Sequence, residues 1–420
     1  MVIMLVAVFM LFVVGAMAAL SIDAVTLYTA RSEAQLAADG AALAGARTLA
    51  NSGMTSMPTN ALLALNAENL ASIVAIQVAQ SNSVGGRNLA AGEVTVSYPN
   101  AGSAGSGTNP HVTVKVQRTD VPTFFARIWG STQVTVGASA TAEAYNPSGA
   151  NALGAVPVAP ICVKPWLLPN INPNGITAQI FNPVTGVIQD PTLLGWNNVV
   201  AGPPLRARCQ AGCGALPGPL TWRYYPADPA LANFPPPNAA SVQCAGSAGF
   251  TPYQLSVAGC VQLPIACNGA VIIDKTPHPT RNLETESAVN CLTHSTANQG
   301  DSVDPASVLP QPFQFLSGAD NPVVQAGALA TGADVMVSDS LVTVPVVNIG
   351  AGTANATDPA QVIGFVQLFL NPDGAPVTNV PPYGIKTTIV NLAGCGTGGI
   401  GVTPILGNGA SPVAVRLISP

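Results

Sequence analysis

MVIMLVAVFMLFVVGAMAALSI (residues 1–22), running without a break into DAVTLYTARSEAQLAADGAALAGARTLA (residues 23–50), decides how this chain is organised. The first stretch holds no Asp, Glu, Lys or Arg. A helix needs about 20 such residues, rising about 1.5 Å each, to cross the hydrocarbon core of a bilayer. Asp23 ends the run, and Tyr28 and Arg31 stand where an interfacial belt would fall. The plainer alternative is a cleaved signal peptide, and Ala16-Met17-Ala18 fits the small-residue cleavage pattern. Against it, no basic stretch precedes the run, and the run exceeds the about 7–15 apolar residues of a signal core. The expectation is a retained transmembrane helix over residues 1–22. The missing basic arm suggests a natural start slightly upstream.

Residues 23–50 contain no proline and are rich in alanine, the best helix former, so the span should continue as a stalk helix. Ala34, Ala38, Ala41 and Gly45 recur at three- and four-residue steps. They form a small-residue seam that another helix could approach closely. Asn51-Ser52-Gly53 supplies the stop.

An apolar span, an Asp just past it, Tyr-x-x-Arg and an AADGAALAGA block follow one another in order. The arrangement resembles the amino-terminal signature of the TadE/TadG-like Flp (Tad) pilus-assembly proteins. The residues that carry it are Asp23, Tyr28, Arg31, Gln35, Ala37, Ala38, Asp39, Ala41, Ala42, Leu43, Ala44, Gly45 and Ala46. The resemblance covers about 50 residues, and the few basic residues and Gly that usually open the family's span are absent here. It implies a structural or assembly component of a Tad pilus or related envelope secretion system. It also implies a single pass through a bacterial inner membrane, with the bulk of the chain periplasmic or extracellular. The implied partners are the membrane and other pilus-assembly or pilin-like proteins, with self-association through the stalk helix. An anchored adhesin or carbohydrate-binding surface protein is the alternative, using the same tether with its function in residues 160–420.

Around this segment the composition is unusual. Only 8% of the 420 residues are charged, against about a quarter in ordinary domains, while 41 are Gly and 38 are Pro. That mixture reads as many short strands and turns. The net charge is −5 and the Lys and Arg residues never cluster, which argues against nucleic acid. All eight cysteines fall late: Cys162, Cys209, Cys213, Cys244, Cys260, Cys267, Cys291 and Cys395. An even number in an exported region points to disulfides, whose pairing the sequence leaves open. Metal ligation needs tighter clusters, and His111, His278 and His294 are the only histidines.

The expected class is α+β: an N-terminal transmembrane and stalk helix, a small pilin-like α+β unit, then a β-rich, Pro/Gly-rich C-terminal domain. The small unit spans residues 58–146. Thr59 or Asn60 caps a helix with Leu63, Ala67, Leu70, Val74 and Val78 on one face. Alternating strands follow at Val94–Tyr98, Val112–Val116 and Val134–Ala144. Between the last two, VPTFFARIWG is expected to form a short helix with Phe124, Phe125, Ile128 and Trp129 packing inward. Asn146-Pro147-Ser148-Gly149 marks a boundary, and residues 150–420 form the exported region. Strands are expected at Asp334–Ser338, Leu341–Val347, Val362–Leu370, Ile385–Val390 and Val413–Ile418. VIGFVQLFL is apolar on both faces and should be central. Residues 160–330 read as loop-rich insertions held by disulfides.

No chemical motif stands out. There is no Gly-x-Ser-x-Gly elbow, no phosphate-binding Gly-rich loop and no Asp-x-Ser-x-Ser metal motif. Asp301 with Asp304, and Asp334 with Asp339, could offer carboxylates to Ca²⁺, though such pairs in polar loops are more often solvated. His278 and His294 are expected on surface loops, and a spatial Ser/His/Asp arrangement is the weakest reading. The expectation is a protein that is not an enzyme, with no cofactor, no metal and no nucleic-acid partner.

Overall fold

In this computed structural model the described residues are 2–99, 109–148, 155–172, 179–195, 197–201, 221–227, 234, 236–237, 241–242, 244, 246–260, 263–274, 280–295, 299–335, 337–348, 359–378, 385–396, 403–407 and 411–419. Helix α1 (Val2–Asn51) is continuous from the apolar run through the Ala-rich block. It ends where the sequence predicts, at Asn51, and Gly53 then turns the chain with φ of 83°. A side chain there would be strained, and its Cβ would meet the Phe313 ring at 3.0 Å. Helix α2 (Ala61–Gln80) follows, with the Asn60 side chain accepting from the Leu63 N–H as its N-cap.

Three strands come next, β1 (Val94–Ser97), β2 (His111–Pro122) and β3 (Gln133–Tyr145), paired as an antiparallel meander. In β2 the alternation is strict: Val112, Val114 and Val116 are buried while Lys115 and Gln117 face out. The inner face of β3 is built from Ala140, Ala142 and Ala144. Small residues on the strand meet small residues on α1, so helix and sheet approach closely and share one core.

The second body is an eight-stranded mixed sheet. Its strands are β4 (Trp166–Pro169), β5 (Asn197–Ala201), β6 (Thr221–Arg223), β7 (Tyr225–Pro226), β8 (Ala270–Val271), β9 (Leu341–Val347), β10 (Ala360–Leu370) and β11 (Ile385–Gly394). The order is β7-β4-β9-β10-β11-β5-β6, with β8 also on β10. Every residue of β10 from Val362 to Leu370 is buried, as its two apolar faces predict. Helices α3 (Pro252–Ala258) and α4 (Arg281–Leu292) pack on one side, where Tyr253, Val257, Ala288 and Val289 join Val344, Val366 and Leu368. The other side is closed by Val158, Phe234, Ile265 and Ile273 over Val362 and Phe365.

Three expectations change. The sequence predicts loop-rich insertions over residues 160–330, yet these residues supply five strands of the large sheet and both covering helices. Asp334–Ser338 is no strand among the described residues: Asp334 forms one isolated bridge to Leu316, made by Val335 N–H to the Phe315 carbonyl and Ser317 N–H to the Ala333 carbonyl, and the pairing goes no further. The terminal strand β12 (Ala414–Ser419) pairs antiparallel with β3, so the first sheet runs β12-β3-β2-β1 and takes its edge from the chain's end.

Among the described residues three disulfides join Cys162 to Cys260, Cys244 to Cys291 and Cys267 to Cys395, with Cα atoms 4.5, 5.6 and 5.3 Å apart. The last ties the segment before β8 to the end of β11. Cys209 and Cys213 lie outside the described residues, as does His278.

Candidate functional site: the collar around the first helix

The signature residues are all on α1, and the structure shows what each touches. Asp23 is 2% exposed, immediately past the uncharged run. An ionised carboxylate there needs donors close at hand. It receives three backbone N–H groups, from Phe124 at 2.8 Å, Phe125 at 3.0 Å and Ala126 at 2.6 Å. These groups lie on the turn that leads into the 3-10 helix Ala126–Trp129. The turn was expected to bury its aromatics. Instead Phe124 is 59% exposed and Phe125 half-buried, because the backbone faces Asp23 and the Phe124 ring is directed outward. The side chains of Ile128 and Trp129 lie outside the described residues.

One helical stretch further on, Glu33 accepts the Gly85 N–H at 2.7 Å from a tight hairpin, Ser83–Val84 paired with Arg87–Asn88. That hairpin is held in turn by an ion-pair cluster. Arg87 meets Glu93 at 2.6 Å and Asp120 at 2.7 Å, and Arg118 meets Asp120 at 2.8 Å and donates to the Val84 carbonyl. Hydrogen bonds from Arg87, then Arg118, bring the Asp120 carboxyl down to about 2. Gln35 bridges Asp39 at 2.7 Å to the Ser139 carbonyl at 3.3 Å.

Ala34, Ala37, Ala38, Ala41, Ala42 and Ala46 are fully covered, Gly45 is buried, and Leu43 and Ala44 are half-buried. The seam of Ala34, Ala38, Ala41 and Gly45 thus lies inside the chain's own core. A Cβ on Gly45 would meet Val112 Cγ1 at 3.0 Å and the Ala75 methyl at 3.5 Å, so the helix that approaches it is α2. Tyr28 and Arg31 remain exposed, Tyr28 at 78%.

The far end of α1 is clamped as well. Asn391 in β11 donates to the Ala50 carbonyl at 2.6 Å, satisfying one of the orphan acceptors of the helix end. Ser56 accepts the Leu392 N–H at 2.9 Å and donates to its carbonyl at 3.0 Å. Asn146, read as a boundary, is fully buried and gives its side-chain amide to that same carbonyl at 2.9 Å. The two sheets therefore meet at a buried polar joint built around the end of α1.

The carboxylates considered for Ca²⁺ are otherwise engaged. Asp301 is buried and takes hydrogen bonds from Gly318 N, Asn321 Nδ2 and Ser338 Oγ. Asp304 accepts the Ala306 N–H, and Asp339 pairs with His294 at 2.9 Å. Among the described residues no three His, Cys, Asp or Glu side chains gather as a metal site would require.

The motif Asp23–Ala46 was legible in the sequence, but its partners were not. Phe124–Ala126, Gly85 and Asn391 lie 52 to 341 residues away from the α1 residues they bond, in no readable register. The one available signal was Asp23 itself, since a carboxylate at the end of an apolar span calls for donors. Residues 2–48 match the family model described as Putative Flp pilus-assembly TadE/G-like. No curated protein and no solved structure matches the chain. The matched segment takes in both the exposed apolar run and the contacts at Asp23, Glu33 and Gln35, and this first helix is long and apolar enough to cross a membrane.

Proposed function

We propose, from an amino-terminal helix that is TadE/G-like over residues 2–48, that this chain is a membrane-anchored structural component of Flp (Tad) pilus assembly. It serves that machine, or a related envelope secretion system, without catalysis. The observation that carries the reading is the unbroken helix α1. Its exposed apolar half, Ile3 to Ile22, continues directly into a half that forms the core of the folded body.

A flexible tether would let the body wander. Here the body holds the helix at three heights, at Asp23, Glu33 and Ala50, so the body's orientation is fixed by that of the span. That suits a part that must present a defined surface to other envelope proteins. The body lies on the non-cytoplasmic side of the inner membrane, where its disulfides form.

The test uses a bacterium with an intact Tad pilus locus and this gene deleted. Sheared surface pili are counted after complementation with the full chain or with Asp23→Ala. Loss of pili on deletion, restored by the full chain and reduced with Asp23→Ala, is expected. Pili in unchanged number without the gene would overturn the proposal.

A further inference from the structure

The geometry points to a second membrane contact in this chain: the turn Thr123–Gly130 is an interfacial foot that sets the Phe124 ring into the headgroup layer beside α1. The inference rests on α1 being the membrane span, and adds a contact that the span alone does not require.

Height is the first argument. The uncharged run up to Ile22 is about 33 Å long at about 1.5 Å per residue, close to the about 30 Å of a hydrocarbon core. Asp23 therefore lies at the membrane edge. Its carboxylate binds the backbone of Phe124, Phe125 and Ala126 directly, which holds the turn at the same level.

Exposure is the second. Among the described side chains of the body no other ring is exposed: Trp166, Tyr224, Tyr253, Phe181, Phe365 and Phe369 are fully buried, and Tyr98, Tyr225 and Phe250 are half-buried. Phe124 is the departure at 59% exposed, and its N–H is bonded to Asp23, the residue that follows Ile22 at the end of the span. The ring is therefore held at the level where the uncharged span ends, so the occupant that covers it is lipid rather than a separate partner.

Composition is the third. Phe124-Phe125-Ala126-Arg127-Ile128-Trp129 combines aromatic residues with one arginine and no acid. Aromatic rings favour the headgroup layer, and an exposed Arg127 suits lipid phosphates. Two contacts on one bilayer, a span and a foot fixed to its side, also resist rotation of the body about the helix axis.

The test reconstitutes the full chain in vesicles of phosphatidylcholine and phosphatidylglycerol, with or without bromine on the acyl chains. In a Trp129→Phe background, one tryptophan is added by Phe124→Trp, by Phe12→Trp within the span, or by Leu62→Trp. Leu62 is exposed at the start of α2, about 40 Å along α1 from Asp23. The emission added at each position is read as the difference from the background. Brominated lipid should remove most of the added emission at 12 and 124 and leave that at 62 unchanged. Quenching at 12 with none at 124 would overturn the foot and leave the span standing. A blue-shifted but unquenched tryptophan at 124 would mean that protein covers the ring, which also overturns it. Absence of quenching at 12 would bring down the span, and the foot with it.

Discussion

Asp23 and Lys164 show how single charged groups are handled in a chain with so few of them. Asp23 closes the apolar span and is answered by three N–H groups from a turn a hundred residues later. Replacing it with Ala removes the acceptor and leaves those donors to find water. Amide exchange at Phe124, Phe125 and Ala126 in detergent-solubilised protein should quicken markedly in Asp23→Ala, while β10 stays protected. Equal protection at the turn would mean that the carboxylate does not hold it. Lys164 is fully buried, with its ammonium nitrogen 2.7 Å from the Gly259 carbonyl. Burial brings it down to about 7, opposed only in part by Asp339. Above that pH the folded state has released a proton that the unfolded chain keeps until about 10. The unfolded state then binds more protons, so stability should rise between about pH 7 and about pH 10 and level off below. Lys164→Met should flatten that rise in melts taken across the range. A slope that persists in the variant would assign it to another group.

At the scale of elements, α1 was the most legible part and also the one whose role changes most. Its extent, its alanine block and its stop at Asn51 follow from propensity and composition. What its small residues are for does not, since a small-residue seam looks the same whether it faces a partner helix or the chain's own α2 and sheet. The structure places Gly45 against Val112 and Ala75, so Gly45→Leu should disrupt the body. Overpacking of this kind costs about 1–3 kcal/mol. A melting temperature several degrees lower in detergent is expected, and an unchanged one would place the seam at an outer surface. Strand β10 was readable because both faces are apolar. Helix α4 was not, because RNLETESAVNCL is largely polar and is held by buried contacts: Arg281 pairs with Asp274 at 2.9 Å and lies over the Tyr253 ring. Strand β4 was hidden by the prolines at both ends of KPWLLP, although Trp166, Leu167 and Leu168 are completely buried. The pairing of β12 with β3 is a matter of tertiary register, which no local pattern encodes.

For the molecule as a whole, the number and placement of the cysteines pointed to cross-links, while the pairing required the fold. The three bridges span 98, 47 and 128 residues of sequence. Each, taken singly, restricts the unfolded chain by about 4–5 kcal/mol in the chain-entropy model. Reduction should therefore lower the melting temperature of the large sheet sharply, and a melt indifferent to reductant would argue that the bridges are absent in the native compartment. The collar, the polar joint at Asn391 and these bridges make one continuous path from the span to the far sheet. That path has meaning only if the span stays attached. Mass spectrometry of the amino-terminal peptide from protein extracted out of native membranes tests this directly. The structure predicts a mature chain that retains the apolar run ahead of Asp23, whereas an amino terminus at Ala19, following cleavage after Ala18, would contradict it.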